Sequence, residues 1–222
     1  MNQGPKFMAE LIGTFALIFF GAGAILQHGA TEAVGVTGIA VAHGLAILVS
    51  IYALGHISGG HFNPCVTFGF AVTKRLSWGD TVLYWIAQLA GASLAAWFLS
   101  LAYPMGAADA HLGTPALGPS VGPMLGMAVE AVLAFMLVLV VFGSAVDSRA
   151  PKGFAGLAIG LTLTANILAA GAVTGASFNP ARAFGPALMA GYWMDHWLYW
   201  VGPMLGGAVA ALLYDRFLLS RA

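Results

Sequence analysis

Six apolar stretches, each long enough to cross a bilayer, limit what this chain can fold into. They run over roughly 7–27, 34–55, 81–102, 124–146, 154–173 and 197–219. About 20 mostly apolar residues span the ~30 Å hydrocarbon layer at ~1.5 Å of rise per residue. Backbone polar groups must pair internally in hydrocarbon, so the expectation is an all-α membrane protein. The first stretch follows Lys6, as the apolar core of a leader peptide would. Glu10 near its start and the full set of later spans read it as a membrane helix instead. The charge content agrees, with 8 Lys+Arg and 8 Asp+Glu in 222 residues, or 7%. A soluble domain carries about 25%, so a soluble enzyme and a disordered chain are excluded. A net charge of zero leaves no basic surface for nucleic acid. Cys65 is the only cysteine, which excludes a disulfide scaffold.

Two further apolar stretches, about 63–73 and 179–190, are too short to span. Each begins with Asn-Pro, and proline suits the first turn of a helix because its missing N–H has no helical partner there. Each is predicted to be a helix crossing half a bilayer. Lys6, Lys74, Arg75, Arg149, Lys152, Arg216 and Arg221 fall on one side of a six-span chain. The joints on the other side carry Glu32, Asp109 and Asp195 and no Lys or Arg. By the positive-inside rule both termini are expected to be cytoplasmic. Arg182 is the exception, placed inside the membrane.

The chain repeats internally. Ser58-Gly-Gly-His-Phe-Asn-Pro-Cys-Val-Thr-Phe-Gly69 aligns with Thr174-Gly-Ala-Ser-Phe-Asn-Pro-Ala-Arg-Ala-Phe-Gly185 at an offset of 116. Glu10, Phe15 and Gly23 recur as Glu130, Phe135 and Gly143. Tyr84-Trp85 and Gly91 recur as Tyr199-Trp200 and Gly206. We read one membrane domain over 1–222, with a first repeat 1–115 and a second repeat 116–222. Each repeat has three spans, an odd number, so the second must enter from the opposite side. Such inverted repeats bring broken helices together at the midplane. Irregular backbone at that depth is tolerated only inside protein or beside water, so 55–62 and 174–178 are expected to line a wet cavity.

Asn63 and Asn179 then become the leading functional candidates. Two facing half-helix N-termini each carry about half a positive charge. The Asn amides add hydrogen-bond donors. A lone water there would turn its oxygen toward both donors and its hydrogens outward, and could not relay a proton. Arg182, a charge within the membrane, is functional by default and would repel cations in a narrow lumen. Glu10 and Glu130 are symmetric, and re-entrant loops have unpaired N–H groups that need acceptors. We expect each Glu to brace one loop rather than to move protons. Trp78, Tyr192, Trp193 and Trp197 are expected interfacial anchors.

These residues resemble the aquaporins, the major intrinsic protein family of channels for water and small solutes. The resemblance rests on Ala9-Glu10 with Gly13-Thr14-Phe15, on His56-Ile-Ser-Gly-Gly-His-Phe-Asn-Pro64, and on Gly175-Ala-Ser-Phe-Asn-Pro-Ala-Arg182, and it covers essentially the whole chain. The family signature is a pair of Asn-Pro-Ala motifs. The second stands intact as Asn179-Pro180-Ala181, and the first departs from it as Asn63-Pro64-Cys65. The resemblance implies six spanning helices and two half-helices, a homotetramer, and one pore per subunit. It also implies a selectivity filter of His43, Ile167, Ala176 and Arg182. That set departs from strict water channels, which carry Phe and His at the first two places. It departs too from glycerol facilitators, which have an Asp after the Arg where this chain has Ala183. It looks like the filter of the plant tonoplast subgroup, some members of which pass ammonia. There a histidine of the loop between spans three and four joins the filter, which makes His111 a further candidate. His61 is expected in the cytoplasmic half of the pore. His56 and His61 lie five apart with no acid or thiol between them, which is no metal site.

The expected function is a passive channel for water, with ammonia or other small neutral solutes, closed to protons and ions. The partners are water, those solutes, lipid and further copies of the chain. No cofactor and no metal are expected, and the membrane is expected to be that of the cell surface. The rivals are a glycerol-type facilitator, a secondary transporter, a structural junction and an intramembrane enzyme. An enzyme would have only Cys65 and His61 to work with.

Overall fold

The structure, a computed structural model, describes residues 3–104 and 111–219. Asp109 and Arg221, used in the charge count, lie outside the described residues. Among those described, all regular structure is helical. The eight helices are α1 (Gly4–Thr31), α2 (Gly35–Ser58), α3 (Pro64–Val72), α4 (Trp78–Ala102), α5 (Pro123–Val141), α6 (Ala155–Thr174), α7 (Pro180–Ala190) and α8 (Leu198–Leu213). π-helical turns extend α5 over Phe142–Val146 and α8 over Tyr214–Leu218. With these turns, six helices are long and apolar enough to cross a membrane. The two short ones, of 9 and 11 residues, match the Asn-Pro stretches.

Local chemistry explains where the half-helices start. Asn63 is extended (φ −158°), and its side-chain oxygen accepts from the Cys65 N–H at 2.9 Å. Asn179 (φ −151°) accepts from the N–H groups of Ala181 and Arg182 at 3.0 and 3.2 Å. Each Asn caps the N–H groups that a helix start leaves without partners, and Pro64 and Pro180 occupy the following position. Upstream, α2 stops at Gly59 (φ 96°) and α6 at Gly175 (φ 75°), in the left-handed region that ends helices. The chain turns back into the bundle from there.

Small residues let the spans close. A Cβ on Gly91 would lie 2.2 Å from the Leu11 carbonyl oxygen, so α1 and α4 touch backbone to backbone. A Cβ on Gly206 would lie 1.9 Å from the Ala131 carbonyl oxygen, and α5 and α8 meet in the matching way. Such contacts drive association where lipid removes the hydrophobic force between helices. Many large apolar side chains face outward, including Phe20, Trp97, Val132, Leu161 and Leu205. The interior buries Glu10, Gln88, Glu130, Asn179 and Arg182. This polarity suits a bundle solvated by lipid outside and holding a polar path within.

Candidate functional site

The N-termini of α3 and α7 meet inside the bundle and are tied crosswise. Asn63 Nδ2 donates to the Phe178 carbonyl and Asn179 Nδ2 to the Phe62 carbonyl, both at 3.0 Å. Each Asn thus uses its oxygen on its own helix and one N–H on the opposite loop. The amide's second N–H remains as a donor. Both Asn residues border one cavity.

The loops that present them are strained and braced. Phe62 (φ 47°), Ala176 (φ 43°) and Phe178 (φ 35°) hold left-handed backbone without being glycine. Such conformations cost about 1–3 kcal/mol each and persist where the surroundings over-determine them. Glu10 supplies that constraint in the first loop. Its Oε1 accepts from Ser58 Oγ (2.6 Å) and the His61 N–H (3.0 Å). Its Oε2 accepts from the Phe62 N–H and Gln88 Nε2, both at 2.7 Å. Glu130 does the same in the second loop, accepting from Thr174 Oγ1 (2.6 Å), the Ser177 N–H (3.0 Å) and the Phe178 N–H. Tyr84 and Tyr199 complete the parallel, donating to the carbonyls of Ser58 and Thr174 at 2.6 and 2.8 Å. The internal repeat pairs these tyrosines in the sequence, but nothing along the chain assigns them a role.

His43, Ile167, Ala176 and Arg182 all border this same cavity. His43, Ile167 and Arg182 also border a second cavity, walled by Ile39 and Thr114. Arg182 is buried, and its Nη1 donates to the Gly113 carbonyl at 2.7 Å. That carbonyl, on the short helical turn His111–Gly113, went unnoticed in the sequence because a backbone oxygen carries no residue signature. His43 Nδ1 donates to the Ile39 carbonyl at 2.8 Å. At the other end, Ile51, Gly59, Ala145 and Ala155 are shared with a third cavity, walled also by Asp147, Lys152 and Gly153. The three cavities therefore adjoin in series. His61 borders the middle one, its Nδ1 paired with Thr67 Oγ1 at 3.1 Å and its ring against Phe70.

A family model described as Major intrinsic protein matches residues 2–214. The chain belongs to this family. The maize protein named Aquaporin TIP4-4 is 44% identical over 221 residues, covering 96% of this chain and 86% of its own length. Aquaporin TIP2-1 of Arabidopsis thaliana is 44% identical over 224 residues, at 96% and 87% coverage. Aquaporin NIP1-1 of rice is 41% identical over 211 residues, at 95% and 73%. The fold matches the aquaglyceroporin of Plasmodium falciparum with a TM-score of 0.88 at 23% identity, covering 98% of this chain and 97% of that one. These relatives make the chain a multi-pass membrane protein of the aquaporin family. They lend no support to the expected cell-surface membrane.

Two residues singled out in the sequence of this aquaporin-family chain lie off the cavity walls. His111 lines none of the three cavities. Its ring stacks on Tyr192 at 4.0 Å between centroids, because left-handed backbone at His111 and Leu112 turns the Gly113 carbonyl toward Arg182 instead. The Cys65 side chain is fully buried, and its thiol donates to the Phe178 carbonyl at 3.4 Å. It lies behind the cavity wall, between α3 and the opposite loop.

Two arginines near the end of α8 are engaged. Arg75 pairs with Asp215 at 2.8 Å. Arg149 chelates Asp147 and reaches the Leu218 carbonyl at 2.7 Å, while the Tyr214 hydroxyl donates to Asp147 at 3.0 Å. Arg149's side chain, then its backbone N–H, hold the Asp147 carboxyl well below the usual carboxylate range. The same pairing raises Arg149. The joint between α5 and α6 is thereby strapped to the end of α8.

Proposed function

We propose that the chain is a passive channel that conducts water, with ammonia and other small neutral solutes, and excludes protons and ions. The observation that carries this is the row of three adjoining cavities passing between two facing half-helix N-termini. Positive helix ends and the free amide donors of Asn63 and Asn179 favour a water oxygen at the centre. Arg182 adds a fixed cation where the outer and middle cavities join. His43, Ile167 and Ala176 complete the filter in this reading, and Glu10 and Glu130 hold the loops in shape. Family membership supports the channel and gives no reason to assign catalysis. Cys65 and His61 are each engaged elsewhere, with Phe178 and Thr67.

In this reading the chain assembles as a homotetramer with one pore per subunit, which light scattering of the purified protein tests. The side bearing Arg75, Arg149 and Lys152 is the cytoplasmic side by the positive-inside rule. The repeats 1–115 and 116–222 are two inverted halves, a reading supported by the matched braces of Glu10 and Glu130. The functional test is osmotic shrinkage of reconstituted vesicles by stopped flow, with ammonia and glycerol uptake in the same preparation. Fast shrinkage without a proton leak is expected. Shrinkage no faster than in empty vesicles, with folded protein present, overturns the reading in favour of a transporter.

A further inference from the structure

The geometry points to Gly21 as the residue that sets the aperture at His43. The inference rests on the channel reading and adds a positioning residue to it. Glycine in the middle of a helix is less favourable than alanine, so its place in α1 asks for a reason. Gly21 is buried in ordinary helical backbone, and no left-handed turn requires it there. What requires it is the His43 ring. A Cβ at residue 21 would fall 2.4 Å from His43 Cδ2, 2.5 Å from Nε2 and 2.8 Å from Cε1. Unbonded carbons approach to about 3.5–4.0 Å, so an added methyl group drives the ring back by about 1 Å or more.

The ring has one direction to go. Its Nδ1 is held by the Ile39 carbonyl on its own helix, and α1 blocks the side at Gly21. The open side is the junction of the outer and middle cavities, where Ile167 and Arg182 stand. Arg182 is anchored to the Gly113 carbonyl. A ring displaced toward them narrows the lumen by a large part of a water's radius of about 1.4 Å. His43 therefore acts as a wall residue whose depth is set from behind, by a missing side chain on the neighbouring helix. Gly23, two residues on, has no such role. A Cβ there meets only the end of Leu99 at 3.4 Å, an ordinary contact.

The test is Gly21→Ala, with Gly23→Ala as the control on the same helix, and both His43→Ala and the Gly21→Ala/His43→Ala double variant. Water permeability per folded channel is read by stopped flow in vesicles. Gly21→Ala is expected to slow water several-fold and Gly23→Ala to leave it unchanged. The double variant is expected to match His43→Ala alone, because the added methyl then has no ring to push. Unchanged flux in Gly21→Ala overturns the proposal, as does an equal slowing by Gly21→Ala in the His43→Ala background, which would make it a helix-packing effect. If Gly21→Ala is not recovered folded, recovery of the double variant still assigns the clash to His43, and its failure overturns that assignment. Wild-type vesicles no faster than empty ones would instead sink the channel reading, and this proposal with it.

Discussion

Replacing Glu130 by glutamine tests what holds the second re-entrant loop. The carboxylate accepts three hydrogen bonds, two on Oε1 from Thr174 and Ser177 and one on Oε2 from the Phe178 N–H. A glutamine in the same place keeps its oxygen toward Thr174 and Ser177. Its amide NH2 then faces the Phe178 N–H, donor against donor. Turning the amide over misplaces it against the other two groups and gains nothing. One buried N–H is left unpaired, which costs about 1–3 kcal/mol. For a chain of this size that is a fall in Tm of about 2–4 °C per kcal/mol. The damage also reaches the lumen, because the Phe178 carbonyl is what Asn63 and Cys65 bond to. The assay is thermal unfolding of the purified protein in detergent, followed by tryptophan fluorescence, with water flux measured beside it. Glu130→Gln is expected to melt lower and conduct more slowly, and Glu130→Ala, which unpairs all three donors, lower still. A Glu130→Gln protein that melts with the wild type and instead gains or loses proton flux would falsify the bracing role.

Other outcomes follow from the same contacts. Arg182→Val removes the fixed cation and its tie to Gly113, and should admit cations or larger solutes, read as conductance and glycerol uptake; unchanged exclusion takes Arg182 out of the filter. Mercurials should inhibit slowly or not at all, since Cys65 is buried against Phe178, and rapid inhibition abolished by Cys65→Ala would place the thiol in the lumen after all. The Asp147 carboxyl is depressed in the folded protein, so its contribution to stability is present above the ordinary carboxylate range. That contribution should be full at mildly acid pH, begin to fade as the pH falls into that range, and be lost completely only well below it. Proteolysis of the joint between α5 and α6 should therefore be slow at pH 7 and pH 5 alike, and Asp147→Asn should speed it at both.

The spans were legible because their signal is local. Apolar length reads a membrane helix directly, and Asn-Pro marks a helix start by its own side-chain bond and ring. Boundaries moved by only a few residues, as where α1 extends to Thr31 and α2 to Ser58. Candidate site residues were nameable for a different reason. Arg182, Glu10 and Glu130 are polar groups in an apolar chain, and such groups stand out. His111 shows the limit, since its loop carries no periodicity and its neighbours in sequence do not fix where its ring goes. The Gly113 carbonyl and the tyrosine bonds to Ser58 and Thr174 had no side-chain motif pointing to their partners.

By itself the sequence determined a six-span helical chain with two half-helices and the chemistry available inside. Those properties depend on hydrophobic length, helix caps and residue types, all read along the chain. Only the tertiary structure decided who meets whom. It joined Asn63 to Phe178 and Asn179 to Phe62, seated the His43 ring on Gly21, and placed Cys65 behind the lumen wall. Each of these contacts joins residues far apart in sequence or on different helices. It exists because close backbone packing leaves a side chain one space to occupy, and that space is a property of the assembled bundle.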